Sequence, residues 1–126
     1  MTGPFALSGA APLAATFVAG GLVLQAYLAG LAVFGAATGW SAHAVFGSLL
    51  AIPIAGLAVL AWLSPGARSY RRPASLLFVL YLVQFGLAGV GASGGAAWIA
   101  ALHPANALLM LIVTLGMARR VATAPA

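Results

Sequence analysis

The chain has 126 residues, of which 64% are hydrophobic and only 4% are charged. A soluble domain of this size leaves much of its surface exposed and cannot hide that much apolar area, so the composition excludes a water-soluble globule. The sequence contains no cysteine, aspartate or glutamate, which excludes disulfides, thiolate chemistry, carboxylate catalysis and carboxylate proton relays.

Two long uncharged stretches, residues 1–67 and 73–118, dominate the sequence. A membrane-spanning helix needs about 20 mainly apolar residues, so each stretch is long enough for two spans joined by a turn. The sequence therefore predicts an all-α membrane protein, a single four-transmembrane-helix domain over residues 1–126. We predict its spans over about residues 12–36, 40–63, 74–90 and 96–118.

The second and fourth predicted spans each contain a proline. Because proline cannot donate a helical hydrogen bond, we expect Pro53 to kink the second span. The fourth span has two alternative starts. It begins either near Ala96 with a kink at Pro104, or near His103 with Pro104 in the favoured first turn.

The positive charges occupy only one loop and the C-terminal region: they are Arg68, Arg71, Arg72, Arg119 and Arg120. In a chain of four spans, these two places lie on the same side of the membrane as the N-terminus. The positive-inside rule then predicts a multi-pass plasma-membrane protein with both termini in the cytoplasm. Because the arginines flank apolar spans, we expect the lipid bilayer as their partner and no nucleic acid.

The two halves of the sequence resemble each other. Gln25-Ala-Tyr-Leu-Ala-Gly30 is followed by His43, and Gln84-Phe-Gly-Leu-Ala-Gly89 is followed by His103. The glutamine-to-histidine spacing is 43 − 25 = 18 in the first half and 103 − 84 = 19 in the second. We interpret the halves as two repeated helical hairpins, which would bring the histidines to similar depth across the bundle. The alternative is chance similarity in a low-complexity sequence.

An ionisable side chain within a span indicates function by default, and His43 and His103 are the two candidates. Two imidazoles are too few for tetrahedral zinc, and a non-haem iron triad needs a carboxylate. Haem needs only axial ligands from the protein, and bundle cores are natural cofactor sites. We therefore expect both histidines to bind the iron of a haem, haem b. The alternative for each is a hydrogen bond to a backbone carbonyl of a neighbouring helix.

Four further residues are candidates for cofactor contacts. Gly47, one turn after the first histidine, would leave room for the macrocycle, unless its role is close helix packing. Gln25 and Gln84 are polar groups in hydrocarbon that either contact the ligand or bond across helices. Asn106, three residues after the second histidine, is placed to bond a haem propionate or a backbone group. We assign no catalytic residue.

The second half looks like one half of a haem A synthase, on the pattern Gln84-Phe-Gly-Leu-Ala-Gly89, His103-Pro-Ala-Asn-Ala-Leu-Leu-Met110 and Ala118-Arg-Arg120. It is also similar to small four-span proteins of high-GC bacteria with a His-Pro-x-Asn-Ala motif. The resemblance implies one haem per four-helix half, bound by a histidine pair on the second and fourth helices. Here those are His43 and His103. The catalytic half of that family uses a glutamate, which this chain lacks, so the cofactor-holding half is the closer match.

These features together predict a b-type cytochrome-like membrane protein whose bis-histidine haem serves electron transfer or haem handling. Without a carboxylate or cysteine, we do not expect an enzyme on its own. The rivals are a cofactor-free structural or assembly subunit and a small transporter or channel whose histidines respond to pH. Because the outer helix faces carry small residues, we expect a homodimer or association with a larger membrane complex.

The arginine asymmetry makes the topology testable by cysteine labelling of intact cells. Ser69→Cys, or a cysteine inserted after Arg120, should react only with reagents that enter the cytoplasm, because positive loops stay inside. Ser93→Cys, in an uncharged turn, should react with an impermeant reagent. Labelling of Ser69→Cys from outside intact cells would refute the arrangement.

Overall fold

The computed structural model describes residues 9–94 and 96–121 of the chain. Within them, four helical segments have the length and hydropathy of membrane spans: Ala10–Val33, Gly39–Leu63, Pro65–Ala92 and Ala97–Ala118. We call these the first to fourth spans. The described residues contain no strand. The chain is therefore an all-α four-helix bundle with the composition of a multi-pass membrane protein, which confirms the predicted fold class.

A glycine fixes the end of the first span at Val33, three residues before the predicted end. Gly35 adopts a φ of 93°, a left-handed conformation that glycine tolerates without a Cβ clash. The N–H of Gly35 donates to the Ala32 carbonyl, and the N–H of Ala36 donates to the Leu31 carbonyl. This is the Schellman pattern, and it stops the helix by turning the chain back.

The loop predicted between the second and third spans is largely helical. A 3₁₀ helix covers Pro65–Tyr70, and an α-helix continues from Arg71 to Ala92. Ser64 is extended, and Pro65, at the first helical position, has a φ already suited to the turn. The third span consequently starts before residue 74, the predicted start.

The second span is divided into Gly39–Leu49 and Ala51–Leu63 by a break at Leu50. Pro53 lies three residues after the break. It has no N–H to donate to the carbonyl four residues earlier, and its ring crowds that turn. Leu50 itself keeps right-handed helical dihedrals, and its N–H donates to the Phe46 carbonyl, so the span loses at this point only the bond that Pro53 cannot donate.

The fourth span is divided in the same way, into Ala97–Ala100 and Leu102–Ala118, by a break at Ala101. Pro104 again lies three residues after the break. The span thus begins near Ala96, the first of the two predicted starts. Pro104 nevertheless lies in the first turn of Leu102–Ala118, just as Pro53 lies in the first turn of Ala51–Leu63.

The spans pack in a closed ring. The first and third spans each contact both the second and the fourth. Because successive spans are antiparallel and joined by short connections, the second and fourth spans lie on a diagonal and run in the same direction. Side chains on those two spans can therefore meet across the centre of the bundle.

The tightly packed core lies at the end of the bundle that carries the arginines, which we call the arginine end. Its largest fully buried side chains are Val18, Ile54, Leu57, Leu77, Met110, Thr114 and Met117. The opposite end, where turns follow Val33 and Ala92, we call the turn end. In residues 23–49, 82–94 and 96–105, only Gly39 is buried. The turn end is therefore the more loosely packed half.

Two arginines stabilise the arginine end by capping. Arg71 donates from Nε to the Ala61 carbonyl at 3.1 Å and from Nη2 to the Trp62 carbonyl at 3.0 Å. These carbonyls lie in the last turn of the second span, where the helix dipole favours a cation. Arg120 donates from Nη1 to the Ser69 carbonyl at 2.9 Å, which ties the C-terminal residues to the loop.

Tyr81 connects the third span to the break in the second. Its side chain is 6% exposed. Its hydroxyl lies 2.8 Å from the Gly47 carbonyl and 3.2 Å from the Ser48 carbonyl, just before Leu50. The tyrosine thus donates to carbonyls in the turn before Leu50 and joins the third span to the second.

Replacement of this hydroxyl should weaken the bundle. Tyr81→Phe keeps the ring but removes the donor, so the free energy of unfolding in detergent should fall by about 1 kcal/mol. Tyr27→Phe is the matched control, because Tyr27 is 60% exposed. The same loss in both variants, or in neither, would contradict this role.

Candidate functional site

The histidines of the second and fourth spans lie close together at the turn end. His43 is on the Gly39–Leu49 segment, and His103 is the second residue of Leu102–Ala118. The centroids of their rings are 6.1 Å apart, and the ring planes are inclined by 58°. Since the two spans are diagonal, the rings meet across the bundle interior. Both side chains are half-buried.

A backbone carbonyl of the preceding span orients each ring. Nδ1 of His43 lies 3.1 Å from the Gln25 carbonyl oxygen, and Nδ1 of His103 lies 3.2 Å from that of Gln84. A carbonyl can only accept, so each Nδ1 carries the proton. In a neutral imidazole, Nε2 then keeps a free lone pair.

This arrangement has two implications for the histidines. The contact with a neighbouring backbone carbonyl is the one expected of a purely structural histidine. It engages only one nitrogen of each ring, however. Histidines that bind metals commonly donate the other ring N–H to a carbonyl in this way, which fixes the tautomer and the ring direction.

The side chain of Gln25 reaches the second span. Its Nε2 donates to the His43 carbonyl at 2.7 Å. A Cβ added at Gly47 would overlap this amide nitrogen, so the amide fills the space that the glycine leaves. Gly47 therefore serves packing between helices, and any contact with a cofactor would be made beside the Gln25 amide.

The amide oxygen of Gln25 stands out from the polar atoms around it. Oε1 is buried and has no hydrogen-bond partner within residues 9–94 and 96–121. An unsatisfied buried acceptor costs about 1–3 kcal/mol. The Gln25 side chain is consequently half engaged, with a bonded donor and an unbonded acceptor.

Asn106 and Gln84 form the corresponding polar contact in the second hairpin. Asn106 is 7% exposed, and its Nδ2 donates to the Leu80 carbonyl at 2.8 Å and to Oε1 of Gln84 at 2.6 Å. Both hydrogens of the Asn106 amide are thereby engaged within the protein. Its oxygen is an acceptor and cannot bond a propionate carboxylate. Of the two roles expected for Asn106, the structure favours the bond to a backbone group.

Close packing does not explain three other glycines. A Cβ added at Gly30, Gly86 or Gly89 would meet no described atom within 4 Å. Gly39 is different, because a Cβ there would collide with the backbone of Ala32. The lack of a side chain at Gly39 thus lets the start of the second span contact the first span closely.

Sequence reasoning missed one aromatic neighbour of the pair. Trp40 packs edge-on against His43, with ring centroids 5.9 Å apart and planes inclined by 87°. Residues three apart on a helix lie on the same face, so this spacing was the available signal. The tryptophan, itself 60% exposed, thus makes an edge contact with the His43 ring.

The chemistry open to this pair follows from the separation of the rings. Two imidazoles on opposite sides of one metal ion, with metal–nitrogen bonds of about 2 Å, have ring centroids about 6 Å apart. The described residues contain no group of three or more His, Cys, Asp or Glu side chains that could hold a bare ion. The pair supplies two nitrogen donors, the number of axial ligands that a metal held in a macrocycle can take from a protein.

Fold and site together define a class: an all-α, four-span membrane protein with a histidine pair on diagonal helices. Residues 25–93 match DUF6220, a family of unknown function. Because the match covers more than half of the chain, the chain belongs to that family. His43 lies within the matched residues, and His103 lies beyond them. No curated protein and no solved structure matches the chain.

The tight contact at Gly47 gives a test of the site's packing. Gly47→Ala should displace the Gln25 amide from the His43 carbonyl and lower the free energy of unfolding in detergent by about 1 kcal/mol. Gly30→Ala is the matched control. Nothing obstructs its Cβ, so alanine should leave stability unchanged or raise it by up to about 1 kcal/mol through helix propensity.

A second change identifies the cause of that loss. In the Gly47→Ala background, Gln25→Ala should cost less than it does in the wild type, because the contact is already broken. Equal costs in both backgrounds would show that Gly47 does not act through the Gln25 amide.

Proposed function

We propose that this chain is a cytochrome-like membrane protein that holds one haem b between His43 and His103, for electron transfer or haem handling. The observation that carries the proposal is the ring pair, with centroids 6.1 Å apart and each Nδ1 engaged by a carbonyl. Both Nε2 atoms are then left as ligands of the kind that six-coordinate haem iron takes.

The packing around the pair supports a large ligand. Around the histidines, in residues 23–49, 82–94 and 96–106, only Gly39 and Asn106 are buried. The tightly packed core lies at the other end, where it can hold the four spans together. The unbonded Oε1 of Gln25 is a further polar atom at this site that the described residues leave without a partner.

The protein's own part in this function is to hold and tune the ligands. Bound haem would supply one-electron redox chemistry, which the protein adjusts through axial ligation and burial. The carbonyls of Gln25 and Gln84 accept from the Nδ1 atoms, which orients the rings and increases the basicity of the ligating nitrogens. Trp40 packs edge-on against the His43 ring and would help to hold its orientation.

The two hairpins are, on this proposal, repeats of one unit. In each, the histidine Nδ1 contacts the backbone carbonyl of the glutamine in the preceding span. In each, a glycine with positive φ follows the glutamine by ten positions, from 25 to 35 and from 84 to 94. Parallel repeats are related by an axis along the membrane normal, which accounts for two histidines at one depth.

The site's position in the cell follows from the arginines. We place the arginine end at the cytoplasmic face of the plasma membrane, together with both termini, by the positive-inside rule. The histidine pair then lies near the outer face.

The exposed outer helix faces favour a homodimer or a larger membrane complex, which the mass of the protein in native nanodiscs would reveal.

An optical spectrum tests the haem directly. The purified protein, supplied with haem, should show a Soret band and the sharp reduced visible bands of low-spin iron. His43→Ala and His103→Ala should each abolish the low-spin spectrum, because each removes one axial ligand. Added imidazole should restore it in either variant by occupying the vacated position.

The control for ligation is Gln25→Leu, which keeps the backbone carbonyl that orients His43. Its low-spin spectrum should be perturbed but retained. A wild-type protein that binds no haem would overturn the proposal and favour a cofactor-free structural role. Two histidine variants with unchanged low-spin spectra would show that the iron has other ligands.

A further inference from the structure

Two adjoining grooves lie on the surface between the second and third spans, at the arginine end. One, of about 650 Å³, we call the arginine groove; it is lined by Trp62, Arg68, Ser69, Arg71, Arg72 and Ser75. The other, of about 570 Å³, we call the apolar groove; its lining includes Val59, Trp62, Ser75, Phe78 and Val79. Trp62 and Ser75 line both, so the two open grooves adjoin, and we call them together the channel.

The arginine groove carries uncompensated positive charge. Three of its residues are arginines, and the whole sequence contains no aspartate or glutamate to neutralise them. Arg71 is occupied by the end of the second span and by the Trp62 ring, whose centroid is 5.0 Å from its guanidinium carbon. Arg68 and Arg72 are exposed. Two guanidinium groups are therefore available to an anion.

Neutral donors in the same groove add to this preference for an anion. Ser75 accepts a hydrogen bond from Nε1 of Trp62 at 3.0 Å, so its own hydroxyl hydrogen is left to donate outward. Ser69 is exposed beside it. Arginine and hydroxyl donors together match the oxygen acceptors of a phosphate diester.

The apolar groove indicates that this phosphate belongs to a lipid. It runs from Trp62 along aliphatic and aromatic side chains of two spans that have the composition of membrane helices. Trp62 lies at the junction, as is typical of tryptophan at the boundary between headgroups and hydrocarbon. A soluble phosphate compound would use only the charged half of the channel.

We propose that this channel binds one anionic phospholipid, with its phosphate on Arg68 and Arg72 and an acyl chain along Val59, Phe78 and Val79. The site lies at the opposite end of the bundle from the histidines and does not depend on the haem. Basic pockets between spans at the cytoplasmic face are suited to anionic headgroups. The lipid would fill the groove and hold the second and third spans together.

Tryptophan quenching by brominated lipid tests this proposal on the full-length chain. Trp40→Phe and Trp98→Phe leave Trp62 as the sole tryptophan, and both replaced residues lie at the turn end. Nanodiscs are prepared with increasing fractions of brominated phosphatidylglycerol or brominated phosphatidylcholine. The anionic lipid should reach half-maximal quenching of Trp62 at about a tenfold lower fraction.

Single arginine variants separate a site from general surface charge. Arg68→Gln and Arg72→Gln should each reduce the preference about fivefold. Arg119→Gln is the matched control, since it removes the same charge from the same end but does not line the channel. It should leave the preference unchanged.

Three results would overturn the proposal. Equal quenching by the two lipids would show that the channel does not select a charged headgroup. An equal loss in Arg119→Gln would assign the preference to unspecific surface attraction. Loss of the preference on addition of inorganic phosphate, at constant ionic strength, would identify a soluble phosphate site.

Discussion

In hydrocarbon there is no water to bond a polar group, so each donor and acceptor within the spans must find its partner in the protein. Pro53 and Pro104 add to this demand, because each removes one hydrogen bond from its helix. The Tyr81 hydroxyl lies at the first break and contacts carbonyls just before it. Histidine rings and glutamine amides similarly bond the backbone of adjacent spans at the turn end. Several connections between the helices are thus made by side chains that bond main-chain groups, in addition to the apolar core.

This requirement divides the bundle into two ends with different contents. At the arginine end, apolar side chains fill the interior and the guanidinium groups cap helix ends. At the turn end, histidine, glutamine and asparagine side chains bond across the spans, and few residues are buried. A tightly packed end can carry the stability of the fold while a looser one accommodates a ligand. The histidine pair lies at the turn end, whereas the proposed lipid site lies at the arginine end.

The sequence was sufficient to predict the fold class, and it drew attention to the histidines that the structure places together. Hydropathy and the uncharged stretches define spans, and the shared Gln–His spacing brings two side chains to one depth. Helix ends were less predictable, because the first span ends where Gly35 adopts positive φ, and many of the 16 glycines were candidates. The different partners of Gln25 and Gln84 were not predictable either. Periodicity assigns a residue to a helix face but does not determine which neighbouring backbone atom its side chain reaches.

The two histidines lie on opposite sides of the breaks in their spans. His103 lies in Leu102–Ala118, on the arginine side of the break in its span. His43 lies in Gly39–Leu49, on the turn side of the break at Leu50. Seven residues of helix separate His43 from Leu50, a lever arm of about 10 Å at a rise of about 1.5 Å per residue. A bend of about 10° at the break would displace the His43 ring by about 2 Å, the length of one metal–nitrogen bond. A change in the angle between the two parts of the second span would therefore change the distance between the rings.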